Sequence, residues 1–290
     1  MRRTRSSLRV RLISRVGSTR DGRAPQRGSG RESIARPGMV MMIKGLEKKV
    51  ALVTGGARGI GAAIARELAE DGADVAISYA GSAKRAAEVV QDIQKSGVQG
   101  EAYKADQGRS DEVWALVDQV YARFGALDIV VINAGTVARG RVDEEAPTRE
   151  EVERLFAVNV RGAAETVRAA VRYLNDGGRV IAIGSNGASR MPFPGGSDYV
   201  ASKAAVAAYT RAWARDLGPR NITVNVVQPG SIATDMNPED GPSSEEQRAL
   251  CALGRYGRPE EIAAVVAFLA GPGGSFISGA TIDVDGGVNA

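Results

Sequence analysis

The stretch Lys49-Val50-Ala51-Leu52-Val53-Thr54-Gly55-Gly56-Ala57-Arg58-Gly59-Ile60-Gly61-Ala62-Ala63-Ile64-Ala65-Arg66-Glu67-Leu68 changes character part-way along. Up to Thr54 it is a short aliphatic and β-branched run, the composition of a strand buried on both faces. From Gly61 its apolar residues fall at helical spacing. The glycines between let the backbone turn tightly and approach a pyrophosphate, whose charge then sits at the positive N-terminal end of the helix. A glycine-rich turn alone says little, but one that follows a strand and opens a helix marks a dinucleotide site. Gly55, Arg58, Gly59, Ile60 and Gly61 are therefore candidate cofactor contacts.

Outward from this turn, β-branched runs alternate with longer helical patterns, the signature of βαβ units and a parallel sheet covered on both faces. Strands are predicted at Lys49–Thr54, Asp74–Ser78, Gly100–Lys104, Ile129–Asn133, Arg179–Ser185, Ile222–Gln228 and Thr281–Val284. Helices are predicted at Gly61–Asp71, Ala83–Lys95, Asp111–Phe124, Arg149–Leu174, Ser197–Leu217 and Pro259–Ala270, with Gly72, Gly97, Gly125, Gly177 and Gly218 as stops. The fold class is α/β: a single doubly wound parallel sheet of seven strands with helices on both faces. The weakly periodic stretch from Gln228 to Pro259 contains Pro229, Pro238 and Pro242 and reads as a lid or a surface insertion.

Charge is distributed unevenly. Residues 1–40 hold eleven arginines against Asp21 and Glu32, which leaves 27 basic and 32 acidic residues in 41–290. The net charge of +4 thus belongs to the tail. The mildly acidic body is unsuited to tracking a nucleic-acid backbone. The tail is Arg-rich, Ser-rich and poor in acids, as organelle transit segments are. It equally fits an inert extension ahead of Met39, Met41 and Met42, so the domain is expected to span 41–290 and to fold without residues 1–40.

The chain has no histidine, which excludes His-based triads, His-ligated metals and histidine general bases. Proton chemistry must come from Tyr, Lys, Asp or Glu. Cys251 is the single cysteine, so no internal disulfide and no thiolate cluster is expected, in keeping with a reducing cytoplasm. No apolar run reaches the roughly 18 residues of a membrane span, and no metal site is expected.

NAD sites commonly carry an acid at the end of the second strand to hold the ribose 2′-hydroxyl. Here that strand runs Ile77-Ser78-Tyr79-Ala80-Gly81-Ser82, without a carboxylate. Arg58 suits the 2′-phosphate of NADP, which an acid would repel, and Ser78, Ser82 or Lys84 add candidate contacts.

Ser185 closes the fifth predicted strand, and Tyr199 and Lys203 follow at a helical spacing of four in Asp198-Tyr199-Val200-Ala201-Ser202-Lys203. A phenol ordinarily releases its proton near pH 10, and a nearby ammonium stabilises the phenolate. This provides acid/base chemistry near neutrality in a chain without histidine.

On these residues the sequence resembles the short-chain dehydrogenase/reductase family across residues 45–290. Thr54-Gly55-x-x-x-Gly59-x-Gly61 is similar to its cofactor turn, Asn133-Ala134-Gly135 to its Asn-Ala-Gly motif, and Ser185 with Tyr199-x-x-x-Lys203 to its active site. Asn159 stands where the family has a helical asparagine. Pro229, Gly230 and Ile232, in a segment running from Gln228 to Thr234, resemble the part that covers the nicotinamide, and Asp106 the acid that meets adenine.

The resemblance implies an NADP(H)-dependent enzyme in which Tyr199 protonates a carbonyl oxygen that Ser185 also binds. Lys203 would lower the tyrosine's pKa and hold the nicotinamide ribose, and Asn159 would hold a relay water. Ser78 and Tyr79 would join the cofactor site. The fourteen-residue gap from Ser185 to Tyr199 is one longer than in many members, which lengthens the loop Asn186–Gly196.

Among family subgroups, the sequence resembles 3-oxoacyl-carrier-protein reductases and a biofilm-dispersal group that binds cyclic-di-GMP. Two function classes follow: a carbonyl reductase acting on a small-molecule ketone or 3-oxoacyl compound, or a nucleotide-binding regulator on the same fold. Phe193, Met191, Met236 and Tyr256 are candidate apolar substrate contacts, and Arg139 and Arg141 candidate contacts to an acidic partner. The family resemblance and the small residues of Arg149–Leu174 and Ser197–Leu217 imply a homotetramer.

Overall fold

The computed structural model describes residues 45–290, so the tail expected to be inert lies outside the described residues. In chain order the elements are β1 Val50–Val53, α1 Gly59–Glu70, β2 Asp74–Tyr79, α2 Ala83–Lys95, β3 Gly100–Lys104, α3 Ser110–Phe124, β4 Leu127–Ile132 and α4 Arg149–Phe156. Then come α5 Ala163–Ala170, β5 Leu174–Ile183, α6 Ser197–Leu217, β6 Thr223–Pro229, α7 Ser244–Leu250, α8 Pro259–Ala270 and β7 Thr281–Val284. All seven strands are parallel, in the order β3-β2-β1-β4-β5-β6-β7. The expected doubly wound fold is thus present.

The period-2 geometry of β1 divides the core. Ala51 and Val53 face a layer built on α1, α2 and α8, whereas Leu52 faces one built on α3, α5 and α6. All four residues of β1 are buried, which explains why the strand reads as a continuous apolar run. The strand order reverses between β1 and β4, and their carboxyl ends open a crevice there.

Three expectations need correction. The single helix expected over Arg149–Leu174 is broken: a π-helical turn, Ala157–Gly162, separates α4 from α5, α5 ends at Ala170, and Leu174 belongs to β5. The last residue of the turn has to be glycine, because Gly162 lies so close to the Gln107 carbonyl that a Cβ there would overlap it. Gly177, expected as a helix stop, lies inside β5, whereas α6 does end at Gly218, and a 3-10 turn follows it to Asn221, whose φ is 56°. The stretch expected to lack structure after β6 contains α7.

One buried carboxylate fastens the lower end of the sheet. Where the pairing of β4 with β5 shifts register between Leu127 and Ile129, Asp128 accepts hydrogen bonds from the Val50 N–H (3.0 Å), Lys49 Nζ (3.1 Å) and Asn175 Nδ2 (3.1 Å). Asp128→Ala strands the Val50 N–H and lowers stability by about 2 kcal/mol, or about 4–8 °C in Tm, measured by thermal denaturation. Asp128→Asn recovers part of the loss.

Candidate active site

The glycine turn is held from both sides. Thr54 Oγ1 accepts from the N–H groups of Asn133 and Ala134, both at 3.1 Å, and Asn133 Nδ2 returns bonds to the carbonyls of Thr54 (2.9 Å) and Gly55 (3.1 Å). On the β2 side the N–H of Gly55 donates to Ser78 Oγ (3.2 Å) and that of Gly56 to the Ser78 carbonyl (2.9 Å). Gly55 has φ 65°, and a Cβ on it would lie 2.8 Å from Ala134 Cα. A Cβ on Gly61 would lie 2.5 Å from the Gly55 carbonyl oxygen. The first turn of α1 has no side-chain cap and no acid, which leaves its positive end for an anion.

A cleft of about 720 Å³ runs from this turn across the carboxyl ends of the strands. Gly55, Arg58, Gly59, Ile60, Gly61, Ser78, Tyr79, Asp106, Asn133, Ala134 and Gly135 line one half. Ser185, Tyr199, Lys203, Pro229, Gly230 and Ile232 line the other. Asn159 lies behind the wall, buried. The absence of an acid at the end of β2 holds in space, since Ser78, Tyr79, Ala80, Gly81 and Ser82 line the cleft there. Arg58 stands 4.0 Å from Asp235, which also pairs with Arg85. Asp106 is engaged by Arg154 Nη2 (2.7 Å) and the Gly108 N–H (2.8 Å), and the Arg154 bond is the main reason its carboxyl sits below the usual range.

At the chemical end, burial pushes the Tyr199 phenol above its ordinary value, while the adjacent Ser185 hydroxyl and the Arg139 charge pull the other way. Lys203 shares the cleft with Tyr199, but its Nζ donates to the Ile183 carbonyl (2.8 Å). Burial lowers Lys203 to about 8, so it keeps its proton at neutral pH and sheds it only above about pH 8. Asn159 spends both amide hydrogens, on the Thr136 carbonyl (2.9 Å) and Ser202 Oγ (3.0 Å), and its Oδ1 accepts the Thr136 N–H (2.9 Å). Ser202 in turn donates to the Tyr199 carbonyl (2.7 Å), tying the π-helical turn to α6.

The segment after β6 folds over the cleft around Gln247. Its Oε1 accepts from Ser231 Oγ (2.6 Å) and Asn237 Nδ2 (2.8 Å), and its Nε2 donates to Asn237 Oδ1 (3.0 Å) and Ser243 Oγ (2.9 Å). Met191, Phe193 and Met236 line the cleft as expected of apolar contacts. Tyr256 does not; it is buried beneath Arg248, whose guanidinium lies 5.4 Å from its ring centre. Sequence reasoning missed Gln107, Ser202 and Gln247, neutral residues whose value lies in their partners and not in any motif. Gln107 Nε2 holds the Ala134 carbonyl at 3.0 Å and the Val158 carbonyl at 3.1 Å, joining the Asn-Ala-Gly loop to the π-helical turn.

Residues 55–289 match the family model described as Enoyl-(Acyl carrier protein) reductase. The cyclic-di-GMP-binding biofilm dispersal mediator protein of Escherichia coli (strain K12) is 42% identical over 242 residues, 83% of this chain and 98% of that protein. Versicolorin reductase stcU of Emericella nidulans is 44% identical over 255 residues, 83% of this chain and 96% of that one. A short-chain dehydrogenase from Burkholderia cenocepacia J2315 in complex with NADP superposes with a TM-score of 0.83 at 49% identity, covering 85% of this chain and 100% of that one. The chain belongs to the short-chain dehydrogenase/reductase family.

As a short-chain dehydrogenase/reductase it is an NADP-dependent oxidoreductase, and two further solved relatives are complexes with NADPH. The residues present fit that cofactor. The glycine cradle at Gly55 and Gly61 leaves no room for side chains, the N-terminus of α1 is uncapped, and a Cβ on Gly135 would lie only 3.4 Å from Lys203 Nζ. Lys203 also makes the family site pH-sensitive. Its value of about 8 in the folded chain lies below the ordinary 10.5, so above about pH 8 the folded state sheds a proton that the unfolded state keeps. The Tm of the cofactor-free parent therefore rises relative to that of Lys203→Met between pH 8 and 10. Parallel curves for the two proteins would contradict this.

Proposed function

We propose that the protein is an NADPH-dependent carbonyl reductase that converts a ketone or 3-oxoacyl compound to an alcohol, with Tyr199 as proton donor. The observation that carries this reading is that Ser185, Tyr199 and Lys203 line the same cleft as the glycine turn. NADPH supplies a hydride to the carbonyl carbon when bound. Gly55, Gly59, Ile60 and Gly61 would hold its pyrophosphate at the N-terminal end of α1, and Arg58 its 2′-phosphate. Ser78, Tyr79, Asp106, Asn133, Ala134 and Gly135 would border it on one side of the cleft, and Pro229, Gly230 and Ile232, at the end of β6 and just after it, on the other.

Tyr199 holds its proton at rest because burial disfavours the phenolate. Ser185 and Tyr199 both point hydrogens at the carbonyl oxygen, and the phenol proton moves to it as negative charge develops there. Arg139 stabilises the tyrosinate left behind. Lys203 binds the ribose, and Asn159 holds the Thr136 backbone that faces it, so that the proton relay has a fixed wall.

A second reading, favoured by the name of the E. coli relative, is a regulator that binds a cyclic dinucleotide in this cleft. The same proposal places the protein in the cytoplasm as a homotetramer. Ala201, Ala204 and Ala208, exposed along one stripe of α6, support close helix packing between subunits.

Tyr199→Phe removes one hydroxyl and keeps the ring, so it reduces carbonyl turnover by about 100-fold to 10,000-fold. NADPH affinity, followed by fluorescence titration, stays close to the parent's. Turnover near the parental rate would overturn the role of Tyr199. Absence of any carbonyl reduction, together with submicromolar cyclic-di-GMP binding to parent and variant, would establish the regulator. Light scattering that returned a monomer mass at micromolar concentration would remove the tetramer.

A further inference from the structure

The cleft carries charged residues in unequal states. Arg58 is matched by Asp235, Arg154 by Asp106, and Lys203 by the Ile183 carbonyl. Arg139 also lines the cleft and is exposed, and among the described residues it makes neither an ion pair nor a hydrogen bond. Its neighbour Arg141 differs, being held by Asp143 at 3.0 Å and Glu144 at 3.4 Å outside the cleft wall.

The backbone that carries Arg139 is not free to swing. The Gly140 N–H donates to the Gly195 carbonyl at 3.0 Å, which pins this residue beside the loop leading into Tyr199. On the other side of Arg139, Thr136 is clamped by Asn159. The guanidinium is close enough to Tyr199 for its charge to act on the phenol, and it acts on buried Tyr256 as well. Glu246, on α7, and buried Lys203 are the other charged groups lining the cleft without an ion-pair partner among the described residues. Around these groups Met191, Phe193 and Met236 supply apolar surface.

We propose that Arg139 determines specificity by binding an anionic oxygen group, a carboxylate or phosphate, carried by the carbonyl substrate a short distance from the reacting carbon. This deepens the reductase reading and rests on it. A planar guanidinium with all its donors unspent is suited to bidentate recognition of such a group. Apolar walls hold the carbon skeleton, Ser185 and Tyr199 hold the carbonyl, and Arg139 fixes the third point that orients one face toward the hydride. The reaction is unchanged by this contact: the carbonyl gains a hydride at carbon and the Tyr199 proton at oxygen, and the anion stays intact.

The test uses matched pairs that differ only in charge: 3-oxobutanoate with its methyl ester, and 4-acetylbenzoate with its methyl ester. Each is assayed with NADPH in the parent, Arg139→Gln and Arg139→Lys. The parent favours each acid over its ester in kcat/KM, and Arg139→Gln reduces that acid-to-ester ratio by about 10-fold to 100-fold, the range of one charge-assisted hydrogen-bonded contact. Arg139→Lys restores part of it. Because any effect of Arg139 on Tyr199 applies to acid and ester alike, it cancels in the ratio.

A second readout needs no turnover. Titration of 4-acetylbenzoate into the NADP-loaded enzyme, followed by calorimetry, shows binding that Arg139→Gln weakens by a similar factor, whereas its methyl ester shows no such dependence. Inorganic phosphate as competitor separates a phosphate-reading site from a carboxylate-reading one. Esters and acids reduced equally well by parent and Arg139→Gln would overturn the inference and leave the reductase intact. Acid bound through Arg139 with neither compound reduced would sink the reductase reading and, with it, the specificity role, leaving an anion site alone. Failure of 4-acetylbenzoate and phosphate to bind the loaded parent would overturn the inference outright.

Discussion

Where the sheet reverses its order, β1 and β4 run side by side and their following loops must share one small space. Asn133 fills it. Its side-chain amide bonds the carbonyls of Thr54 and Gly55, while Thr54 Oγ1 collects the two N–H groups that begin the loop after β4. The backbone N–H groups of Asn133 and Ala134 and the carbonyls of Thr54 and Gly55 are thereby partnered, as the desolvation of backbone groups demands. The contact is possible only with glycine at 55 and 61, since a Cβ at either would meet Ala134 or the Gly55 carbonyl. The same glycines that admit a pyrophosphate are thus needed to close the sheet beneath it.

From that crossing the geometry passes outward by neutral hydrogen bonds. Gln107 carries it from the Asn-Ala-Gly loop to the π-helical turn, Asn159 from that turn back to Thr136, and Ser202 from Asn159 to the backbone of Tyr199. Turns of this kind are frequent at functional sites because one extra residue re-aims a side chain without ending the helix. Here the turn places Asn159 between the β4 loop and α6. The charged residue that follows, Lys203, then sits buried without a carboxylate partner, an unfavourable arrangement held by the surrounding packing.

The fold was legible because its signals are local. The apolar run of β1, the glycine turn, and the alternation that follows all reflect burial, and burial leaves a periodic trace. The cleft residues were legible for a different reason: Arg58, Asn133, Ser185, Tyr199 and Lys203 come in motifs, and all of them line the cleft. The break between α4 and α5 left no such trace. Residues 149–170 remain helix-compatible throughout, and the π-helical turn sits where Gly162 meets Gln107, a contact between residues far apart in sequence. The lid helix α7 escaped notice because its seven residues are mostly polar and are stabilised by Gln247 and its partners. Tyr256 was misplaced because an aromatic next to a glycine reads equally well as pocket wall or as core, and only packing decides between them.

The lid is fastened in two chemically different ways. Near α7 its anchor is the uncharged amide of Gln247 with hydroxyl and amide partners, a set of dipoles indifferent to salt and to pH across the physiological range. Over the glycine turn its anchor is Asp235 between Arg58 and Arg85, all three exposed, and ions in that setting weaken as ionic strength rises. The two ends therefore answer to different solution variables. Concentrated electrolyte thus weakens the contact over the glycine turn and leaves the one around Gln247 in place.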